Sequence, residues 1–273
     1  MNEKGDKDKM SNAISEMKTA FGIIVAPLKF RQDNREFSII EGKNELSGTL
    51  KSIKGFGDDI AQKMYEIKDM FFEDFVSLLI YMIDNEILSK KIRMLVSVGY
   101  FSEFGHIKKL LDIYDEVTLG KNRYDKKHSE KTKTKRIPLL HEYEKLHINQ
   151  ELPEIEKLKY ELEVFGEPKS KFKSLSRYLF ISDVNTRYSP RIYTVTITKN
   201  VRMVFKIKKA NYNKNPINPG EVIFMTKFNK KKNVKCVDGK YMEINGTEVF
   251  WIEDYVKKIE CIEEKQKKKY LII

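Results

Sequence analysis

The sequence predicts an α+β chain in two parts: a helical first half containing a glycine-turned helical hairpin, and a second half forming a small five-stranded antiparallel barrel. Three observations predict it. Apolar residues recur at three- and four-residue spacing through residues 53–114 and again through 141–165. From Tyr178 the texture changes to alternation rich in β-branched residues. Between the two textures lies a tract, residues 118–136, with almost no apolar side chains.

The elements follow in chain order. Residues 12–21 read as a helix, with Ile14, Met17 and Phe21 on one face. Ile23-Ile24-Val25-Ala26 is a strand-like run stopped by Pro27. Residues 36–40 and 48–50 suggest a short hairpin around residues 41–44. Amphipathic helices then follow, broken at Gly55, Gly57, Gly99 and Gly105, and Leu158, Leu162 and Phe165 share a later helical face. In the second half, residues 191–198, 203–208, 221–228, 230–237, 241–244 and 249–252 read as five or six strands, with a turn cluster at 211–220. Short helices are compatible with residues 254–258 and 263–269. About 80 residues of this pattern suit a small closed barrel.

Composition narrows the function classes. The 273 residues are 41% hydrophobic and 11% aromatic, enough to bury cores. No run approaches 18 consecutive apolar residues, and residues 1–12 are charged without the apolar stretch of a signal peptide. Two cysteines, Cys236 and Cys261, exclude a disulfide scaffold or a zinc finger and suit a reducing cytoplasm. The net charge of +12 is unevenly placed. Residues 1–50 are neutral, 51–117 carry −3, 118–136 carry +6, 137–175 carry −2 and 176–273 carry +11. A general lysine bias accounts for part of the excess, but not for a negative segment beside a strongly basic one. Such localisation is the footprint expected for a polyanion.

The most specific local pattern runs Leu50-Lys51-Ser52-Ile53-Lys54-Gly55-Phe56-Gly57-Asp58-Asp59-Ile60-Ala61. It fits a helix-hairpin-helix. Two glycines permit a turn closed to residues with a Cβ, Phe56 plugs into the core, and Ala61 allows close helix packing. The following helix then offers free N–H groups to a phosphate, assisted by Lys54 and Lys63. A second, glycine-free copy spans residues 83–100, with Ser89 as a candidate N-cap and Lys90, Lys91 and Arg93 near its helix start.

These blocks, taken in order, resemble the C-terminal half of the bacterial and phage DNA polymerase III alpha subunit family. Ile14-Ser15-Glu16-Met17-Lys18 with Gly22-Ile23 and Val25-Ala26-Pro27 resembles the end of its fingers region, and Asn34-Arg35-Glu36-Phe37-Ser38-Ile39 its next strand. Gly48-Thr49-Leu50 through Gly57 is similar to its tandem helix-hairpin-helix domain. Phe72-Glu73-Asp74-Phe75 and Leu95-Val96-Ser97-Val98-Gly99-Tyr100-Phe101 resemble that domain's closing segments. Residues 156–166 resemble the helix before its OB-fold, and the β-rich region sits where that OB-fold stands. The resemblance implies fingers-end-like residues 1–47, a tandem hairpin domain at 48–117, a basic linker at 118–136, connecting helices at 137–175, an OB-fold at 176–262 and a basic tail at 263–273. The family's metal-binding palm aspartates have no counterpart: Asp6-Lys7-Asp8 lies in a charged segment rather than an apolar strand. Its Gln-x-x-apolar-Phe clamp motif is missing from residues 117–160.

The chemistry of the remaining residues points away from catalysis. No carboxylate cluster suits two-metal phosphoryl transfer, no phosphate-binding Gly-x-x-x-x-Gly-Lys loop occurs, and His106, His128, His141 and His147 lack metal-site spacing. The expected function is therefore that of a non-catalytic DNA-binding protein without cofactor or metal. Duplex contact is assigned to Lys54, Gly55, Phe56, Gly57, Asp58, Lys63, Ser89, Lys90, Lys91 and Arg93. Single-strand contact is assigned to Lys206, Lys208, Lys230, Lys231 and Lys232. In the barrel, period two places Tyr193, Val195, Ile197, Phe205 and Ile207 in the core, with Thr194, Thr196, Lys206 and Lys208 facing solvent or DNA. Partners are duplex and single-stranded DNA, with a polymerase catalytic fragment or another replisome protein beside it, and no membrane. The alternative is an adaptor, a polymerase-like decoy whose main partner is a replisome or host-defence protein.

Overall fold

The computed structural model describes residues 16–17, 20–40, 42–53, 55–87, 90–166, 168–170, 178–195, 202–237 and 240–257. The protein is α+β and divides into two units, residues 1–160 and 161–273.

The first unit opens with a three-stranded sheet. Strands β1 (Ile24–Val25) and β2 (Ser38–Ile40) flank β3 (Glu45–Ser47), parallel and antiparallel respectively. The hairpin stands where the sequence places it, but its second strand is Glu45–Ser47 rather than residues 48–50. Thr49 is diverted: its hydroxyl accepts from the Lys51 N–H at 3.2 Å and donates to the Arg35 carbonyl at 3.0 Å, capping a 3-10 turn at Leu50–Ser52. A capping residue of this kind ends a strand and starts a turn.

Helices α1 (Asp58–Glu66), α2 (Phe75–Asp84), α3 (Lys90–Ser97) and α4 (Ile107–Leu119) follow. Their apolar stripes converge on a core that includes Leu50, Ile53, Leu78, Leu79, Met82, Ile92, Leu95, Leu110 and Ile113. Phe30, Phe75, Tyr100, Phe101 and Phe104 form an aromatic cluster with ring centroids 4.9–6.4 Å apart. Arg31, in the left-handed region at φ +75°, donates to the Lys68 carbonyl at 2.8 Å and to Glu103 at 2.9 Å. It thereby binds the end of α1 to the segment ahead of α4.

The tract expected as a linker is corrected. Residues 130–136 are the first turns of α5 (Glu130–Leu146), capped by the Ser129 hydroxyl. Ahead of them Tyr124 is buried, its hydroxyl donating to Asp84 at 3.0 Å. A tract without apolar periodicity still becomes helical when a cap, a first-turn acid and good helix formers coincide. Glu144 of α5 is buried and accepts from the Phe75 and Val76 N–H groups at 3.1 and 2.8 Å, binding α5 to the start of α2. Helix α6 is Glu154–Phe165.

The second unit is built on five strands: β4 (Tyr178–Asn185), β5 (Arg191–Val195), β6 (Arg202–Ile207), β7 (Val222–Val237) and β8 (Lys240–Lys257). Each pairs with two others, in the order β4-β5-β6-β8-β7, and β7 pairs back with β4. The expectation of an all-antiparallel sheet is corrected, because β6 and β8 run parallel and the sheet is mixed. The strand count is five, within the five or six expected, and two of the strands are longer than the sequence suggests. Val222–Val237 and Lys240–Lys257 form two long strands, and residues 254–257 of the helix expected at 254–258 belong to the second. Part of the expected turn cluster is a short helix, α7 (Lys209–Lys214). The interior holds Leu179, Ile181, Ile192, Phe205, Ile207, Ile223, Met225 and Ile252. Beyond the last β6–β8 pair, Phe205 with Phe250, the β7–β8 ladder continues to Val237 opposite Lys240.

Among the described residues no helix is long and apolar enough to cross a membrane.

Candidate nucleic-acid interface

In the first unit a three-residue 3-10 turn, Leu50–Ser52, stands where the motif expects a helix end, and the two glycines that follow play different roles. Gly55 lies at φ +83°, with open space where a Cβ would stand. Gly57 is extended (φ −116°, ψ −175°) and serves as the N-cap of α1. Only Gly55 depends on glycine's freedom. Between them Phe56 is 7% exposed, its N–H donating to the Ile53 carbonyl at 3.1 Å. The Lys91 ammonium lies 6.0 Å from the Phe56 ring centroid, so the start of α3 stands beside this turn. Lys54 and Ser89 lie outside the described residues. Lys90 is exposed, and Lys63 is partly exposed.

Two residues assigned to the interface are committed elsewhere. Arg93 makes a bidentate pair with Asp115, both bonds 3.0 Å, and that carboxylate together with Tyr160 raises its pKa. An arginine whose Nε–Nη2 edge is held by a carboxylate already has its charge compensated, and it meets a phosphate only by giving up or sharing that partner. Asp58 is exposed and pairs with Lys51 at 2.5 Å. With Asp59 it places two carboxylates on the first turn of α1. They suit the helix dipole but repel an anion arriving at the same N–H groups.

In the second unit the strand register decides which side chains face out. Ile192 stands opposite Phe205, and Arg191 opposite Lys206. Ile192 and Thr194 are therefore interior, and the Thr194 hydroxyl donates to the Met203 carbonyl at 3.2 Å. Tyr193 is half-buried on the outer row. The expected facing of β5 is thus reversed. In Ile192-Tyr193-Thr194-Val195 each phase carries a β-branched residue, and pairing with β6 buries the Ile192–Thr194 row, with the Thr194 hydroxyl satisfied internally. Phe205 and Ile207 are interior and Lys206 and Lys208 point outward, as expected. Thr196 and Ile197 lie outside the described residues.

On that outer row Lys206 stands opposite Trp251 of β8, the protein's single tryptophan. The Lys206 and Lys231 ammonium groups lie 5.9 and 5.2 Å from the indole centroid. Burial, then repulsion from Arg191, lowers the Lys206 pKa, so two cations are held against each other across the ladder. Like charges directly opposite on a sheet are destabilising without an anion between them. Beside them a cleft of about 240 Å³ is lined by Lys208, Asn211, Lys231, Trp251 and Glu253. Lys230 pairs with Glu248 at 3.1 Å and stands 5.2 Å from the Phe250 ring, and Lys232 is exposed. Sequence reasoning missed Trp251, Tyr193 and Arg191. The signal was present in Val249-Phe250-Trp251-Ile252, where period two puts Trp251 opposite in facing to its buried neighbour Ile252.

The histidines serve in pairs. His106 meets Glu151 at 2.7 Å, His141 meets Asp74 at 2.6 Å, His147 meets Asp112 at 2.9 Å, and the Arg136 guanidinium reaches His128 at 3.3 Å. Among the described residues no group of three or more His, Cys, Asp or Glu side chains is placed to hold a metal ion. Compared with known proteins, the chain matches no protein-family model and no curated protein.

Proposed function

We propose that this is a non-catalytic, cytoplasmic DNA-binding protein related to the C-terminal DNA-binding part of the DNA polymerase III alpha subunit. In this reading the first unit is a helix-hairpin-helix domain that holds duplex through phosphate contacts, and the second is an OB-fold that holds a single strand. The observation that carries it is Trp251, on the outer row of the β5–β6–β8 face, with Lys206 and Lys231 beside its ring and Arg191 opposite Lys206. A π-surface flanked by cations is how proteins hold unpaired bases and their phosphates without reading sequence. The strand order supports the OB assignment: a three-strand meander leads to the fifth strand before the fourth, and the third and fifth strands form a parallel pair. Gly55, buried Phe56 and neighbouring Lys91 support the hairpin assignment.

The test is a salt titration of oligo(dT) and duplex binding by the full chain. Lys206→Gln/Lys208→Gln/Lys231→Gln is expected to flatten the oligo(dT) slope of log K against log salt by about 2 units, at ~0.7 per phosphate. An unchanged slope, or no binding of either DNA at low salt, refutes the reading.

One observation favours the alternative, an adaptor bound to a polymerase fragment or another replisome or host-defence protein. The small sheet of the first unit leaves Ile24 and Ile39 exposed, with Phe21 and Phe37 beside them in sequence and also exposed. Substituting Ile24 and Ile39 by Ser leaves DNA affinity unchanged if DNA is the partner. The same substitutions abolish co-purification of a replisome protein if the adaptor reading holds.

A further inference from the structure

The basic tract at 118–136 has no part in either site described above, yet the fold holds it in one place. Tyr124 is buried and bonded to Asp84, Lys126 is ion-paired with Glu86, and the Arg136 guanidinium donates to the Arg123 carbonyl at 2.9 Å. The loop ahead of α5 is thereby fastened to the turn between α2 and α3, where Glu86 sits at φ +55°. Its remaining cations are not used internally. Lys121, Arg123 and Lys127 are exposed and form no ion pair among the described residues, and the same holds for Lys131 and Lys135 on the first turns of α5. Lys63 of α1 lies close enough to share the field of Glu86. The Lys126 hydrogen bond, then the charges of Lys126, Lys63 and Lys127, hold the Glu86 carboxyl below the ordinary carboxylate range. A cleft of about 360 Å³ opens at this point between Glu86, Thr118 and the Lys126–Lys127 pair. The other acids nearby are engaged: Asp125 accepts the Lys127 N–H at 2.9 Å, Asp84 accepts from Tyr124, and Glu130 pairs with Lys133 at 3.1 Å.

We propose that this fastened loop is a second phosphate-backbone site for duplex DNA, in which Lys121, Arg123 and Lys127 contact phosphates and the Lys126–Glu86 pair opens to release Lys126 to a further one. The inference rests on the DNA-binding reading and extends it to a surface that neither the hairpin turn nor the barrel face includes. A loop already fixed by a buried tyrosine presents its cations without an ordering cost at the moment of binding. Glu86 is the one carboxylate at the centre of the patch whose partner has to change, and its removal is therefore informative in sign.

The experiment is a salt titration between 50 and 200 mM of full-length protein binding a 20-base-pair duplex of arbitrary sequence, with oligo(dT) in parallel. Lys121→Gln/Arg123→Gln/Lys127→Gln is expected to flatten the duplex slope by about 2 to 3 units, at ~0.9 per phosphate, and to keep the wild-type melting temperature. Glu86→Gln is expected to bind duplex more tightly and to steepen the slope by up to about 0.9. A purely structural role for the loop predicts weaker or unchanged binding in that variant. Wild-type slopes in the triple variant, or looser or unchanged binding by Glu86→Gln, overturn the second site while leaving the hairpin and barrel reading in place. Tighter binding of polyglutamate than of duplex at equal charge concentration assigns the surface to an acidic protein and also overturns it. Absence of duplex and oligo(dT) binding by the wild-type chain refutes the DNA reading and the second site together.

Discussion

Replacing Trp251 with Ala removes the one indole in the molecule and leaves the lysines around it in place. Truncation of an aromatic platform costs about 1–3 kcal/mol per stacked base. The structure narrows that range. Lys206 and Lys231 stand near the outer limit of cation–ring contact in the free protein, and a base arriving on the ring displaces at least one of them, an offset of about 0.5 kcal/mol. The net loss is then about 1.5 kcal/mol, or roughly tenfold in oligo(dT) affinity. Trp251→Phe, which keeps a ring, loses less. Because no other indole contributes, tryptophan fluorescence reports directly on this face: titration with oligo(dT) should quench it in parallel with a binding signal from labelled DNA. Tight oligo(dT) binding without quenching, together with wild-type affinity in Trp251→Ala, would place the strand elsewhere and refute the reasoning.

Four further outcomes are expected. Gly55→Val forces a β-branched residue into the left-handed region, at a cost of about 1–2 kcal/mol, and should weaken duplex binding equally for unrelated sequences. Gly57→Val, at an extended φ, should be milder in both melting and binding assays. Burial alone would raise the Asp74 carboxyl, but hydrogen bonds from Ser77 and His141 outweigh it and hold the group below its ordinary range, so its stabilisation is present above about pH 4 and lost as pH falls through the lowered value. Asp74→Ala, which removes the cap of α2, should therefore cost about 1 kcal/mol in denaturant melts at pH 7 and converge with the wild type under strong acid. The isolated chain should neither extend primers nor cleave DNA in Mg²⁺ or Mn²⁺, and metal-dependent turnover abolished by mutating one of its own Asp or Glu residues would refute that expectation.

The legible parts of the fold were those where local chemistry is unambiguous. Gly55-Phe56-Gly57 announced its turn because a positive φ beside a buried aromatic needs a glycine at that position. The change to strands at Tyr178 was visible in β-branched alternation. The facing of β5 was not, because its buried row includes a threonine and the choice belongs to a neighbouring strand. Arg93 misled for a related reason: a basic residue at a helix start looks available until Asp115, 22 positions away, is brought to its fork. The tract at 118–136 hid a helix start because its anchors, Asp84 and Glu86, lie about 40 positions earlier in the chain.

The long β7–β8 ladder has a mechanical consequence. Past the last β6–β8 pair, β7 runs on through residues 231–237 and β8 through residues 240–249, with a register shift between the Lys232–Glu248 and Val234–Glu243 pairs; at about 3.3 Å per residue the β7 side gives a lever of roughly 23 Å. The residues that β7 and β8 give to the buried core cluster, Ile223, Met225, Ile252 and Tyr255, all lie at its base. Shortening it by two residues on each side keeps the facing of every remaining side chain, whereas removing one turns the outer portion over. The reach of this ladder is therefore adjustable in steps of two residues.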